Sequence, residues 1–337
     1  IQGAFSVERQ LPGRTTISAY YMFNRSLHLV RSRNVNAPVC PPGGFCPIND
    51  PVALQALRPD PLQGNIYQYE SSGVSNSQRL FFRFSTIFSR SFTMFAGYFL
   101  GKTKSNSDGG FPAYSYDLSD EYSNSSRDVR QTFFLVGSFR VPYGISLRPF
   151  VIARTGTPFN ITAGQDLNGD SIFNDRPTFG QLAAACSING ITDSWCDVSG
   201  NDPNATIPRN FGRGPSSFTV NLSLDKTFGF GSTGRRNGNS EATEQRAREA
   251  RRGSRGGRRG GGHRGGGRGS RGSFGRGGER KPYNLTFGVR FRNLLNRTNL
   301  NNPVGNIGSP QFGESTNISG GFRGGTRRIE FRTRFRW

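Results

Sequence analysis

The last nine residues of the chain alternate strictly between two kinds of side chain. One set of alternate positions is apolar except for a single threonine, and the other set is charged. Since successive side chains of a β-strand point to opposite faces, this pattern predicts a strand with one apolar and one charged face. A soluble sandwich also alternates, so one strand does not separate it from a wall between lipid and water. The apolar set is Ile329, Phe331, Thr333, Phe335 and Trp337.

The remaining strands and their connections separate these two folds. Eight further segments alternate in the same way, at 1–9, 14–23, 80–88, 91–102, 130–141, 145–162, 218–225 and 283–292. Short turns near 11–14, 89–91 and 141–144 alternate with long loops at about 24–63, 103–129, 163–210 and 297–325. Outer-membrane barrels have short periplasmic turns and long extracellular loops, whereas a sandwich has no reason to keep its long connections at one end. We therefore predict an all-β fold, an antiparallel transmembrane β-barrel in the bacterial outer membrane.

The number of strands indicates that this barrel is a fragment. Bacterial single-chain barrels have an even number of strands, and nine are predicted here. If the final strand runs inward, the first predicted strand would begin outside the cell. We therefore expect further strands to precede residue 1.

The positive charge is concentrated in one low-complexity segment. Residues 235–281 hold 15 Lys and Arg against four acidic residues, which is half of the net charge of +22. Arg-Gly-Gly repeats cannot bury a core, so we expect a disordered insertion in a periplasmic turn. The predicted domains are 1–234 (strands one to seven with long outer loops), 235–281, and 282–337 (the last two strands). Such tracts also bind RNA, but with one aromatic, Phe274, and no flanking RNA-binding domain, nucleic-acid binding is the less favoured alternative.

The cysteines predict two local disulfides. Cys40 and Cys46 form one close pair and Cys186 and Cys196 another, each in a stretch rich in Pro, Gly or Asn. Neither pair has zinc or redox spacing, and the chain has only two histidines. Disulfides would indicate an oxidising compartment, and free thiols are the alternative. The sequence contains no convincing catalytic constellation, so we expect a protein that is not an enzyme.

Residues 166–175 resemble a calcium-binding loop. Oxygen-bearing side chains stand at loop positions 1, 3, 5, 9 and 10, and calcium takes oxygen ligands. The glycine is at position 4 instead of 6, and position 12 is Pro177 instead of Glu. A turn rich in Asn and Asp, without a metal, is the alternative interpretation. The candidate ligands are Asp166, Asn168, Asp170, Asn174 and Asp175.

Several stretches in order resemble one family. They are 31–38 (RSRNVNAP), 64–70 (GNIYQYE), 166–170 (DLNGD) with 174–177 (NDRP), 291–299 (FRNLLNRTN) and the terminal aromatic strand. Together they are similar to the barrel of Oar-like TonB-dependent receptors, whose N-terminal portion has a carboxypeptidase-regulatory-like domain and a plug. The Arg-Gly insertion departs from that pattern.

The resemblance implies a 22-stranded barrel that carries out energised uptake of a bulky extracellular ligand. It implies contact with outer-membrane lipid, and with the TonB system through N-terminal parts that this chain lacks. It also implies that the barrel-insertion machinery reads the terminal strand, with Phe331, Phe335 and Trp337 as the assembly signal. A surface adhesion or structural barrel without transport is the alternative function.

Overall fold

The computed structural model describes residues 1–40, 46–89, 91–108, 110–231, 282–319 and 325–337. Nine strands of this part of the chain form one sheet in the order β1-β2-β3-β4-β6-β7-β10-β11-β12, with β5 paired to β4, and β8 pairs with β9 separately. The predicted antiparallel all-β fold is confirmed. The strands are β1 (Gln2–Leu11), β2 (Thr15–Asn34), β3 (Tyr67–Ser89), β4 (Phe92–Ser105), β5 (Ser123–Asn124), β6 (Gln131–Val141), β7 (Ile145–Arg154), β8 (Pro158–Phe159), β9 (Gly212–Arg213), β10 (Ser217–Phe230), β11 (Tyr283–Arg292) and β12 (Arg328–Arg336).

The register gives the sheet two chemically different faces. Phe5, Tyr21, Leu80 and Leu100 are successive partners across β1 to β4 and so lie on one face. Large side chains on this apolar face are uncovered: Phe5 is 68% exposed, Tyr21 41% and Leu100 38%. An exposed apolar surface of this extent requires lipid or a partner to cover it. The opposite face is mainly polar and carries the row Glu8, Ser18 and Arg83. A row that is largely aromatic lies beside it on this face and consists of Ser6, Tyr20, Phe81 and Phe99.

Strands β2 and β3 are longer than predicted. The sequence predicts strands at 14–23 and 80–88, whereas β2 continues to Asn34 and β3 begins at Tyr67. Polar partners hold this extension together: the Arg31 guanidinium lies 2.8 Å from the Glu70 carboxylate, and Arg33 lies 3.2 Å from it. About 9–11 residues suffice to cross the bilayer, so the extension lies outside lipid. It therefore lacks the apolar alternation by which the sequence analysis recognised strands.

Strand β7 is shorter than predicted. The segment 145–162 leaves the large sheet after Arg154, and Pro158–Phe159 pairs with Gly212–Arg213 instead. The backbone of Gly214 lies so close to Gly156 that a side chain at position 156 would collide with it. Proline at 158 also lacks the N–H that a central strand donates. These residues favour a close backbone contact between loops over continued pairing.

The long connections are folded. Their described residues include two α-helices, α1 (Pro51–Ala56) and α2 (Phe179–Ile188), which the sequence pattern did not predict. Asp50 caps α1, and Thr178 and Gln181 form a reciprocal capping box at the start of α2. Among the described residues, no helix has the length and apolar character needed to span a membrane.

The hydrophobic core lies in the connections and not between strands of the large sheet. Its members come from the β7–β10 connection and the β11–β12 connection, and Leu182, Ile161 and Ile207 are fully buried. Trp195 packs edge-on against Phe159 and Phe312, with ring centroids 5.6 and 5.7 Å apart. We call the three connections 35–66, 106–130 and 155–216, together with 293–319, the outer loop layer.

The chain divides into two compact units, and strands β1 to β9 and the outer loop layer belong to the first, residues 1–225 and 288–331. The second contains 226–287 and 332–337. Within its described residues, aromatic rings pack together: Phe335 stacks at 6.1 Å on both Phe230 and Tyr283 and lies 5.7 Å from Trp337. The predicted insertion at 235–281 lies outside the described residues.

Candidate functional site

A cavity with many hydroxyl groups in its lining lies against the polar face of β1 to β4. Its volume is about 880 Å³, and the 106–130 connection forms part of its wall. Arg79, Asp108 and Arg127 supply charges to the lining. Asp108 is held in place because its carboxylate accepts from the Ser126 backbone N–H at 2.6 Å. The hydroxyl-bearing lining residues are Ser26, Ser75, Ser77, Thr103, Ser105, Ser107, Ser125 and Ser126. This lining can donate to and accept from a hydrophilic ligand in many directions.

An aromatic row crosses the same polar face. Phe81 stacks on Phe99 with ring centroids 4.1 Å apart and on Tyr20 at 5.8 Å, and Phe134 lies 6.1 Å from Phe99. Gly97 makes this packing possible, because the rings of Phe134 and Phe81 occupy the space that a side chain at position 97 would need. Such cross-strand aromatic pairs stabilise a sheet by roughly 0.2–1 kcal/mol each.

A buried ion-pair cluster joins two connections of the outer loop layer. The Glu121 carboxylate lies 3.1 Å from the Arg176 guanidinium and 3.1 Å from that of Arg209. It also accepts from the Ala113 backbone N–H at 3.1 Å. The side chains of Glu121 and Arg176 are only 3% and 5% exposed. A carboxylate buried so fully needs such partners to compensate for lost hydration.

A second buried carboxylate joins the sheet to the loop layer. Asp128 accepts from the Thr103 backbone N–H at 2.8 Å and pairs with the Arg213 guanidinium at 3.0 Å. Arg130 lies 3.6 Å from the same carboxylate. Asp128 therefore fixes the end of β4 relative to β9.

The candidate calcium ligands lie in one tightly wound loop, 166–175. The Asp166 carboxylate accepts from three successive backbone N–H groups, those of residues 169, 170 and 171, at 2.7–3.2 Å. Asn168 accepts from the Asp170 N–H at 2.9 Å, and Asp170 accepts from the Ile172 N–H at 2.8 Å. Asp175 closes the loop by accepting from the Leu167 N–H at 2.7 Å.

Two acceptor oxygens of this loop are buried without a partner. They are Oδ2 of Asp170, a residue with no exposed surface, and Oδ1 of Asn174. Burial raises the pKa of Asp170 to about 6 and that of Asp175 to about 7, and repulsion between the loop carboxylates adds to both pKa shifts. Among the described residues, no three His, Cys, Asp or Glu side chains are grouped closely enough to hold a metal by themselves. Any cation here would also need amide or backbone oxygens.

The same loop contacts two neighbouring connections. Asn168 donates to the Ala113 carbonyl at 2.7 Å, and Asn174 donates to the carbonyl of Phe111 at 2.9 Å. From the other side, Asn65 donates to the Asp170 carbonyl at 2.9 Å, and Arg58 reaches the Gly169 carbonyl at 3.4 Å. Loop 166–175 is therefore a junction of the outer loop layer.

The structure pairs the cysteines as neighbours in sequence. Cys40 and Cys46 are bonded with Cα atoms 5.2 Å apart, and Cys186 and Cys196 with Cα atoms 5.9 Å apart. Both separations fall in the usual disulfide range. The second bond attaches α2 to the turn that carries Trp195, and so crosslinks the core. Both bonds lie in the outer loop layer.

The predicted assembly-signal residues occupy β12 and the final position of the chain. Phe331 is 81% exposed and Trp337 is 85% exposed, whereas Phe335 stacks within the aromatic group of the second unit. Uncovered aromatic side chains at the end of a wall strand fit the aromatic girdle found at membrane interfaces.

The buried charges have no local signature in the sequence. Glu121 and Arg209 are 88 positions apart, and Asp128 and Arg213 are 85 apart. No local pattern connects residues so distant. A single indirect signal stands in the sequence: Arg176 directly follows the acid-containing loop 166–175.

Comparison with known proteins adds an independent finding. Residues 2–237 match the family model described as the outer membrane beta barrel domain. A structural match is the crystal structure of the outer membrane transporter YddB from Escherichia coli, with a TM-score of 0.48 and 10% sequence identity. It covers 99% of this chain and 32% of the transporter, so the chain spans about a third of that protein's length. A search of curated proteins gives no match. The chain belongs to the outer membrane beta barrel domain family, and its place is the bacterial outer membrane.

Proposed function

We propose that the chain is part of the barrel of a TonB-dependent receptor, similar to the Oar-like kind, that takes up a bulky hydrophilic ligand. The observation that carries this proposal is the cavity of about 880 Å³ on the polar face. In an outer-membrane wall the apolar face contacts lipid, so the polar face lines the interior. A cavity there lies on the path that an imported ligand would follow.

The lining of the cavity suggests the class of ligand. Its hydroxyl groups and the charges of Arg79, Asp108 and Arg127 favour a solute with many hydrogen-bonding groups. Residues of both the sheet and the 106–130 connection line the same space. A ligand first bound among the outer loops could therefore keep polar contacts as it enters the interior. Energy from the TonB system, and membrane assembly by the barrel-insertion machinery, belong to the same proposal.

Uptake in cells tests this function. Bacteria producing the full-length protein would be given two fluorescently labelled probes, a peptide digest and an oligosaccharide mixture, with and without a protonophore. We expect one probe to accumulate inside, and the protonophore to abolish accumulation because TonB-dependent uptake needs the proton gradient. Arg79→Ser with Arg127→Ser should reduce accumulation. Arg9→Ser, on the opposite face of β1, is the matched control and should leave accumulation unchanged.

A surface adhesion barrel is the second candidate. The folded, disulfide-linked outer loop layer favours it, because a rigid outer surface suits binding without transport. In that case a probe would bind at the cell surface regardless of the protonophore and would never enter. Failure of both probes to bind or enter would count against both candidates.

A further inference from the structure

We propose that loop 166–175 binds one calcium ion, which stabilises the outer loop layer. The ligands would come from the two buried oxygens that lack a partner, Oδ2 of Asp170 and Oδ1 of Asn174, with backbone carbonyls and one further carboxylate of the loop, Asp166 or Asp175. This proposal does not depend on transport, because it concerns only how the extracellular loops are held together.

The backbone of the loop has the shape that a calcium loop needs. In twelve-residue calcium loops, glycine at position 6 allows a sharp turn. Position 6 here is Ser171, and its φ is +64°, in the left-handed region that glycine usually occupies. The departure from the sequence pattern at this position therefore does not change the local fold.

The free oxygen of Asp170 is the observation that points to a ligand. Asp170 has no exposed surface, and its Oδ2 accepts no hydrogen bond. Leaving a charged oxygen buried and unpartnered is costly. Asn174 adds a second buried oxygen without a partner, because its amide nitrogen donates to the carbonyls of Phe111 and Pro112 and leaves Oδ1 free. Both atoms are acceptors, so a cation satisfies them whereas another acceptor would not.

The neighbouring charges place this oxygen among carboxylates. The Asp166 carboxylate accepts from the Asp170 N–H at 3.2 Å. Asn168 links Asp170 to Asp175, because it accepts from the Asp170 N–H at 2.9 Å and donates to Oδ1 of Asp175 at 3.1 Å. Arg58 is a basic side chain that reaches this loop, and it donates to the Gly169 carbonyl at 3.4 Å. Its guanidinium is already held by the Asn36 carbonyl at 2.6 Å and Asn65 Oδ1 at 2.7 Å. Arg58 therefore compensates for only part of the negative charge.

The donor set selects among metals. It contains carboxylate, amide and carbonyl oxygen and neither imidazole nor thiolate. Oxygen-only sets suit calcium or magnesium, and magnesium demands near-ideal octahedral geometry and keeps several waters. An irregular loop whose free oxygens are buried suits calcium better. Because an extracellular module binds calcium with a Kd of roughly 10⁻⁴–10⁻³ M, we expect affinity in that range.

Calorimetry with calcium chloride tests the proposal on the protein purified from outer membranes in detergent and freed of metal with a chelator. We expect one binding event, which magnesium chloride reproduces at least tenfold more weakly. Asp170→Asn should weaken calcium binding more than tenfold. The matched control is Asp202→Asn, which removes an exposed carboxylate of the same 155–216 connection and should leave binding unchanged.

Fluorescence provides a second readout that does not rely on heat. Trp195 is buried in the core of the loop layer, and the only other tryptophan is Trp337. In a Trp337→Phe background, calcium should raise the thermal midpoint reported by Trp195, and Asp170→Asn should remove that increase. Heat-resistant migration on a gel would verify that each variant is folded. The proposal would be overturned by absence of binding at millimolar calcium, or by equal binding in Asp170→Asn and the parent protein.

Discussion

Glu121 is the residue whose substitution should most weaken the outer loop layer. Its carboxylate is shared by two guanidinium groups, each 3.1 Å away, and it also holds the Ala113 N–H. Glu121→Gln keeps the size and one acceptor oxygen, so no cavity forms. The loss is therefore electrostatic: Arg176, only 5% exposed, is left without its counter-charge.

Breaking a buried pair by removing one partner costs about 3–5 kcal/mol. Because Gln keeps some hydrogen bonding, we expect the lower end, about 3 kcal/mol, which is more than a hundredfold in the unfolding equilibrium constant. Arg209→Gln should cost less, because Arg209 is more exposed, at 12%, and its loss leaves the pair between Glu121 and Arg176 intact.

Urea unfolding in the Trp337→Phe background, monitored by the fluorescence of Trp195, measures the loss of unfolding free energy in the outer loop layer itself. Asp120→Asn is the matched control, since Asp120 is the exposed neighbour of Glu121 and its substitution makes the same change in charge. It should shift stability by no more than about 0.5 kcal/mol. If Glu121→Gln and Asp120→Asn were equally stable, the buried cluster would not stabilise the layer, and the reasoning would be wrong.

Three further predictions concern the rest of the chain. Mass mapping of the unreduced protein should find only the bonds Cys40–Cys46 and Cys186–Cys196, and any peptide that crosslinks the two pairs would contradict this. Gly97→Ala should lower barrel stability measurably in a heat-modifiability gel, because the added carbon meets the aromatic row. Gly101→Ala is the control and should lower stability much less, because the nearest atom belongs to the flexible Arg79 side chain, 3.3 Å away. Deletion of residues 335–337 from the full-length protein should leave the truncated protein unassembled in the periplasm. Normal surface display of the truncated protein would exclude the assembly-signal role.

The sequence predicted the strands best where lipid constrains the side chains. One face of β1 to β4 must be apolar at every second position, and rows such as Phe5, Tyr21 and Leu80 follow directly from that requirement. Beyond the bilayer the requirement ends. The C-terminal part of β2 and the N-terminal part of β3 are held together by Arg31 and Glu70 instead, and the alternation that identified the strands disappears there.

The candidate site was predictable only in part, for a related reason. Loop 166–175 shows its oxygen ligands locally, and the neighbouring cysteines form local pairs, so both could be read from short stretches. The core residues come from positions as distant as Phe159 and Phe312, without any shared period. The helix α2 did have a local signal, since Thr178 and Gln181 have capping-box spacing. That signal lies within a long connection that strand periodicity classifies only as a loop.

The rigidity of the outer loop layer bears on how such a protein would bind its ligand. A connection that acted only as a loose gate would need neither a buried core around Trp195 nor a doubly paired carboxylate at Glu121. Ordering flexible loops costs free energy on binding, so loops that are already ordered bind more tightly for the same contacts. Asp108 and Arg127 extend this order into the cavity, because they belong to the 106–130 connection and yet line the space beside the sheet residue Arg79. The outer loop layer and the sheet therefore line the cavity together. Glu121 does not line the cavity itself, but its connection, 106–130, does. We therefore expect Glu121→Gln to weaken ligand binding in the cavity although every lining residue is unchanged.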